Sequence, residues 1–251
     1  DALTALESVK NKTQSLRTAF QRVAYYRGVE LYMDNKSEEA ITLFTTSLQY
    51  PLDQSLVALA TYWKGEAQYK LTNYDAAMKS YNDFQMTPAA VKMKTYNLVN
   101  YNIGYCYFKK ENYTEAQTAF RKYIRTKEET DGIRYNDALL RIADCLFVLR
   151  DQGGAMNYYD QAIAGGSKAS DYALYQKAVI QGVQGKMTDK VKTLQQIFDK
   201  YPKSIYFDDA VYEAGQANMI LGNYNEALTF FQRIIKDYPS SSYMRKAELG
   251  Q

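Results

Sequence analysis

Residues Asp208–Pro239 read DDAVYEAGQANMILGNYNEALTFFQRIIKDYP, and this stretch decides the fold. Apolar and small residues recur at three- and four-residue spacing on both sides of Gly222-Asn223. That spacing is one face of a helix, a break, then one face of a second helix. Gly215 lies in the middle of the first helix, Ala227 and Phe231 one turn apart on the second, and Tyr238-Pro239 closes it.

The same pattern runs through most of the chain. The small residue of the first helix recurs at Gly28, Gly65, Gly104, Ala143, Ala178, Gly215 and Gly250, in steps of 37, 39, 39, 35, 37 and 35 residues. A second small residue follows twelve positions later at Ala40, Ala77, Ala116, Ala155 and Ala227. Four further on stand Phe44, Tyr81, Phe120, Tyr159, Leu194 and Phe231. Glycine inside a helix costs roughly 1 kcal/mol against alanine. Its return at one register implies that close approach of two helices, about 8–10 Å apart, offsets the cost. Lys190 occupies the second small position of the fifth repeat. It is expected either to loosen that pair or to run outward along its alkyl stem.

This pattern resembles the tetratricopeptide repeat, a helix–turn–helix unit of about 34 residues. The resemblance covers roughly residues 21–242, with the start of a further unit to Gln251; the repeats here are longer than the family's. The family's closing proline falls at Pro202 and Pro239, with Pro51 one residue early. The resemblance implies an all-α, right-handed α–α superhelix. Its expected repeats are 21–54, 55–93, 94–132, 133–168, 169–205 and 206–242, with a partial repeat at 243–251 and an N-terminal helix at 2–10. Ser15, Ser37 and Ser240–Ser242 are the expected helix caps. The turns are expected at Asn35, Thr72-Asn73, Lys110–Asn112, Asp151–Gly153, Gly185-Lys186 and Gly222-Asn223. The chain starts without methionine and stops at the seventh alignment point, so it reads as part of a longer array, flanked by further repeats of the same chain.

Composition narrows the function. The 251 residues carry 31 Lys and Arg against 28 Asp and Glu, a net charge of +3. That balance is poor for tracking phosphates, so no nucleic acid is expected. No apolar run approaches the 18 residues of a membrane span. Histidine is absent, which removes the commonest general base and metal ligand. Cys106 and Cys145 stand at equivalent places in adjacent repeats, too far apart to bridge, and read as reduced buried side chains. The adjacent acids Glu128-Glu129 and Asp208-Asp209 point apart on a helix and form no acid–base couple. No enzyme activity, cofactor or metal is expected.

Tyrosine is the outlier, with 25 residues. Three positions before each small residue stand Tyr25, Tyr62, Tyr101, Leu140, Tyr175 and Tyr212. In the family this position lines the concave groove of the first helices. One and four positions after the small residue come Glu66 and Tyr69, Tyr105 and Phe108, Asp144 and Phe147, on the same face. The resemblance therefore implies a groove of Tyr25, Tyr62, Glu66, Tyr69, Tyr101, Tyr105, Phe108, Asp144, Tyr175 and Tyr212. It would hold a peptide or partner helix; the competing reading is that these tyrosines only pack first helices together. The Lys and Asn pattern with which some members clamp chaperone tails falls here on Tyr25, Val29, Tyr62 and Glu66 and is missing.

The implied role is a non-catalytic protein-interaction scaffold, with a carbohydrate-binding helical-repeat module as the alternative. Two joins, Tyr201-Pro202-Lys203-Ser204 and Tyr238-Pro239-Ser240-Ser241, share a Tyr-Pro-x-Ser form. They resemble bacterial envelope proteins of the BamD and Tol–Pal accessory type. That resemblance implies a periplasmic or outer-membrane-associated place, with the cytoplasm as alternative.

Overall fold

The computed structural model describes residues 5, 8–126, 132–166 and 169–250. Among them are thirteen α-helices, one short 3-10 helix and no strand. The fold is an all-α solenoid of helix hairpins, in two compact units, residues 1–130 and 131–251.

The first unit holds α1 (Gln14–Met33), α2 (Ser37–Ser47), α3 (Gln54–Lys70), α4 (Tyr74–Met86), α5 (Thr95–Lys109) and α6 (Tyr113–Arg125). The 3-10 turn Pro88–Lys92 joins α4 to α5. The second unit holds α7 (Gly132–Val148), α8 (Gln152–Ala164), α9 (Ser170–Val183), α10 (Met187–Lys200), α11 (Phe207–Leu221), α12 (Tyr224–Asp237) and α13 (Met244–Leu249). Within each unit every helix packs on the next in sequence.

One contact repeats and sets the hairpin. The aromatic of the second helix is sealed in the core at Phe44, Tyr81, Phe120, Tyr159 and Phe231. In four of these hairpins the ring lies against the glycine of the first helix. A Cβ placed on Gly28 or Gly65 would stand 2.8 Å from the ring, and on Gly104 or Gly215 2.7 Å. No real side chain sits that close, so only glycine admits the ring at these four positions.

Several details differ from the reading of the sequence. Of the helix expected at 2–10, residues 2–4 and 6–7 lie outside the described residues; Ala5 is helical and Ser8–Lys10 are not. Thr13, not Ser15, caps α1, its hydroxyl accepting from the Leu16 N–H at 3.3 Å. Ser37 is buried inside α2, and Lys36 holds the cap position without a side-chain bond. The fourth turn centres on Arg150, because the Asp151 carboxylate accepts from the Gly154 N–H at 2.9 Å and so starts α8 at Gln152. The last helix begins at Met244 with no side-chain cap.

Lys190 does not run outward. It is 7% exposed, its ammonium bonds the Glu213 carboxylate of α11, and its tip passes over Gly182. The lysine stem fills the slot and the paired charge makes its burial tolerable. Cys106 and Cys145 are free and buried, and burial pushes each thiol up to about 12.

The two Tyr-Pro-x-Ser joins fold alike. The Ser204 N–H reaches the Tyr201 carbonyl at 2.9 Å, and the Ser241 N–H the Tyr238 carbonyl at 2.9 Å. Each serine hydroxyl then accepts from the N–H two residues on, Tyr206 at 3.1 Å and Tyr243 at 3.2 Å. This serine turn starts the next helix.

Candidate functional site

The ten groove candidates divide by environment. Tyr25 and Tyr62 are core side chains, 6% and 5% exposed. Tyr25 packs on Phe44, with ring centroids 6.3 Å apart. Tyr62 packs on Phe84 at 5.5 Å and Tyr81 at 6.2 Å. A residue three before the glycine leans toward its own second helix as well as toward the neighbouring repeat. These two side chains therefore sit in the hairpin core.

Four candidates of the first unit come together. Glu66 and Tyr69 of α3 and Tyr101 and Tyr105 of α5 line a cavity of about 220 Å³ with Tyr81 of α4 and Asn102 of α5. Glu66 is its polar centre. Its Oε1 accepts from the Tyr81 hydroxyl at 2.7 Å and from the Asn102 Nδ2 at 2.6 Å. Two donors on one oxygen are the pattern of a carboxylate held in place from two helices. Tyr101 and Tyr105 meet edge-to-face at 5.0 Å, and both rest on Phe120, at 5.8 and 5.3 Å. Phe108 stands beside this group, 6.4 Å from Tyr105 and 5.6 Å from Tyr113.

The negative field of Glu66 reaches its neighbours. Burial first, then the charges of Cys106, Tyr74 and Glu66, push the Tyr69 hydroxyl up to about 12. At Cys106 burial is again the largest cause, with Glu66 and Asp75 adding to it and Lys110 opposing.

The second unit is arranged otherwise. Asp144 is buried, and its Oδ1 accepts from the Tyr159 hydroxyl at 2.7 Å and the Tyr172 hydroxyl at 2.9 Å. Its Oδ2 pairs with the Arg141 Nη1 at 2.6 Å. Burial raises this carboxyl above its ordinary range, against the opposing pull of Arg141 and the two hydroxyls. So satisfied, Asp144 is a structural anchor. Above it an open cavity of about 560 Å³ is lined by Arg141, Asp171, Tyr172, Lys203, Ser204 and Tyr206, among others. Tyr175 stacks on Tyr206 at 5.5 Å and Tyr212 on Tyr243 at 4.5 Å.

Sequence reasoning overlooked one column. Two positions before the small residue stand Asn102, Arg141 and Glu213, the partners of Glu66, Asp144 and Lys190 respectively. The signal was a polar side chain at that register in consecutive repeats.

Among the described residues no group of three or more side chains is placed to hold a metal ion. No described helix is long and apolar enough to cross a membrane.

Models of the tetratricopeptide repeat match residues 25–91, 99–130, 172–204 and 209–241. No curated protein sequence matches this chain. Among solved structures, the chain is similar to the C-terminal part of a TPR repeat-containing protein from Cytophaga hutchinsonii, 15% identical, over 99% of this chain and 91% of that one, with a TM-score of 0.74. It is also similar to YrrB, described as a TPR protein with an unusual peptide-binding site, 18% identical, over 82% of this chain and 97% of that one, with a TM-score of 0.62. PilW, a type IV pilus biogenesis factor, is 16% identical over 94% of this chain and 99% of that one, with a TM-score of 0.60. Since the family models together match more than half of the residues, the chain belongs to the tetratricopeptide repeat family.

Proposed function

We propose that this chain is a non-catalytic scaffold that holds an extended peptide or a partner helix on the faces of its first helices. One observation carries this reading: Glu66, Tyr69, Tyr101 and Tyr105, from two neighbouring first helices, enclose a single cavity with a positioned carboxylate. Tyrosine supplies area and a hydroxyl at little conformational cost, which suits recognition of a chain segment. The peptide-binding site named for YrrB agrees with this use of the fold. The twin Tyr-Pro-x-Ser joins support a bacterial envelope setting, periplasmic or outer-membrane-associated. Compartment-specific labelling of the protein in its source cell checks that setting.

A random linear peptide library displayed on phage tests the main reading. It is panned on the wild type and on a Tyr69→Ala/Tyr105→Leu variant matched for helicity by circular dichroism. Peptides enriched on the wild type and lost on the variant are the expected result. Peptides enriched equally on both place binding away from this cavity. No enrichment on either overturns the peptide reading, and a glycan array then tests the carbohydrate alternative.

A further inference from the structure

The turn edge of the second unit carries apolar side chains into solvent. Five positions after the small residue, at the close of each first helix, stand Val148, Val183 and Ile220. They are 52%, 64% and 66% exposed. The same register in the first unit holds Met33, Lys70 and Lys109. Scattered apolar side chains on a surface are ordinary, but three at one register in consecutive hairpins form a row. The Gln184 Nε2 donates to the Gln152 Oε1 at 3.1 Å and ties the fifth turn to the fourth. Lys190 ties the fifth hairpin to α11 of the sixth through Glu213. The row is thus carried by three hairpins joined to one another. With Leu149, Leu221 and Tyr224, also exposed, it offers on the order of 600 Å² to a partner, near the roughly 800 Å² per partner of a standard interface.

Charge along this edge is arranged by hairpin. The fourth turn carries Arg150, the fifth hairpin Lys186 and Asp189, and the sixth Glu226. All four are exposed, and among the described residues none of them forms an ion pair. Asp151, the other acid of the fourth turn, is committed to the Gly154 N–H. Two cations against three acids lack the basic excess that meets an anionic lipid surface. They do suit a copy of themselves. A two-fold axis through the fifth hairpin brings the fourth hairpin of one copy to the sixth of the other. Arg150 then meets Glu226 at both ends, Lys186 meets Asp189 across the axis, and the two apolar rows lie on each other. We infer that the turn edge of the second unit is a self-association surface, on which a second copy of this chain docks antiparallel, with Val148, Val183 and Ile220 at the centre and Arg150 and Glu226 paired at the rim. This surface shares no residue with the cavity of the first unit and stands or falls independently of the peptide reading.

Sedimentation equilibrium of the full chain is the test. The expected result is a monomer–dimer equilibrium that Val183→Lys combined with Ile220→Lys abolishes. Helicity by circular dichroism is expected to stay unchanged, since both side chains stand in solvent in the single chain. Arg150→Glu and Glu226→Arg are each expected to weaken the dimer about tenfold, and the two together in one chain to restore it. Glutamate fits the left-handed turn at position 150, as Glu111 does at the equivalent place with φ 58°. A chain still monomeric at about 1 mM overturns the inference. So does a dimer that the two lysine substitutions leave unchanged, or one that the paired charge reversal fails to restore. Flotation with vesicles of phosphatidylglycerol and phosphatidylcholine runs alongside. Vesicle binding by a monomeric chain, lost in the two-lysine variant, gives the edge to a lipid surface and also overturns the second copy.

Discussion

Six residues, one per hairpin, carry the sharpest backbone demand in the molecule. Asn35, Thr72, Glu111, Arg150, Gly185 and Gly222 all have left-handed φ, between 58° and 78°. Each ends a first helix in the same way. The N–H of the next residue reaches back to a carbonyl five positions earlier, as from Asn73 to Gln68 at 3.0 Å and from Asn223 to Asn218 at 2.9 Å. This is the Schellman closure, which satisfies helix-end carbonyls and normally recruits glycine. Only two of the six are glycine. For the others the left-handed conformation costs roughly 1–2 kcal/mol, and most for a β-branched side chain. Thr72, at φ 60°, is the worst placed. Thr72→Gly is therefore expected to stabilise the chain by about 0.5–1 kcal/mol, the relieved strain less the entropy of an added glycine. Urea unfolding reads it as a raised midpoint at constant slope. A lowered midpoint would mean that the threonine side chain earns its place through contacts of its own.

The hairpin is the scale at which a local pattern stops being enough. Small and aromatic positions were legible because they obey one constraint inside a single hairpin, the ring of the second helix on the glycine of the first. Lys190 was misread because its fate is decided by Gly182 and Glu213, on two other helices. Asn102 was overlooked for the same reason: its importance comes from Glu66, 36 residues away. Tyr25 and Tyr62 share a register with Tyr101, yet they are sealed where Tyr101 is half-buried. Nothing local distinguishes the three. The Lys190–Glu213 pair offers a direct measure of such inter-hairpin terms. Its lysine side chain is 9% exposed and its glutamate 28%. Glu213→Ala strands the ammonium and is expected to cost about 2 kcal/mol, below the range for fully buried pairs because Glu213 keeps some water. Lys190→Met combined with Glu213→Leu is expected to recover most of that loss. Chemical denaturation of the three variants checks the pair. A double variant no better than Glu213→Ala would show that the ion pair, and not the packing of the stems, joins the fifth and sixth hairpins.

At the scale of the whole molecule the unusual material is the phenol. Tyr81 and Tyr159 are among the largest fully buried side chains, where most proteins place leucine or phenylalanine. Their hydroxyls are satisfied by Glu66 and Asp144, which makes them tolerable at neutral pH and a liability in alkali. Burial, followed by neighbouring carboxylates, raises Tyr81, Tyr159, Tyr172 and Tyr243 above the ordinary phenol value, with hydrogen bonding to Asp209 second in order at Tyr243. Tyr175 is pushed up to about 12, again by burial first and then by Asp209 and Glu213. The unfolded chain ionises its tyrosines near pH 10. Between that value and the higher folded values the native state binds more protons than the unfolded one, so stability falls as pH rises. The stabilisation is fully present below about pH 10 and is lost through about pH 12 and above. Two measurements on the same samples check this. Ultraviolet titration of the phenolate is expected to show an exposed fraction ionising near pH 10 and a second fraction that ionises only as helicity collapses. Tyr159→Phe is expected to shrink the second fraction and to flatten the alkaline fall in stability relative to its own value at pH 8. Complete ionisation near pH 10 with helicity retained would place these hydroxyls in water and remove them from the core.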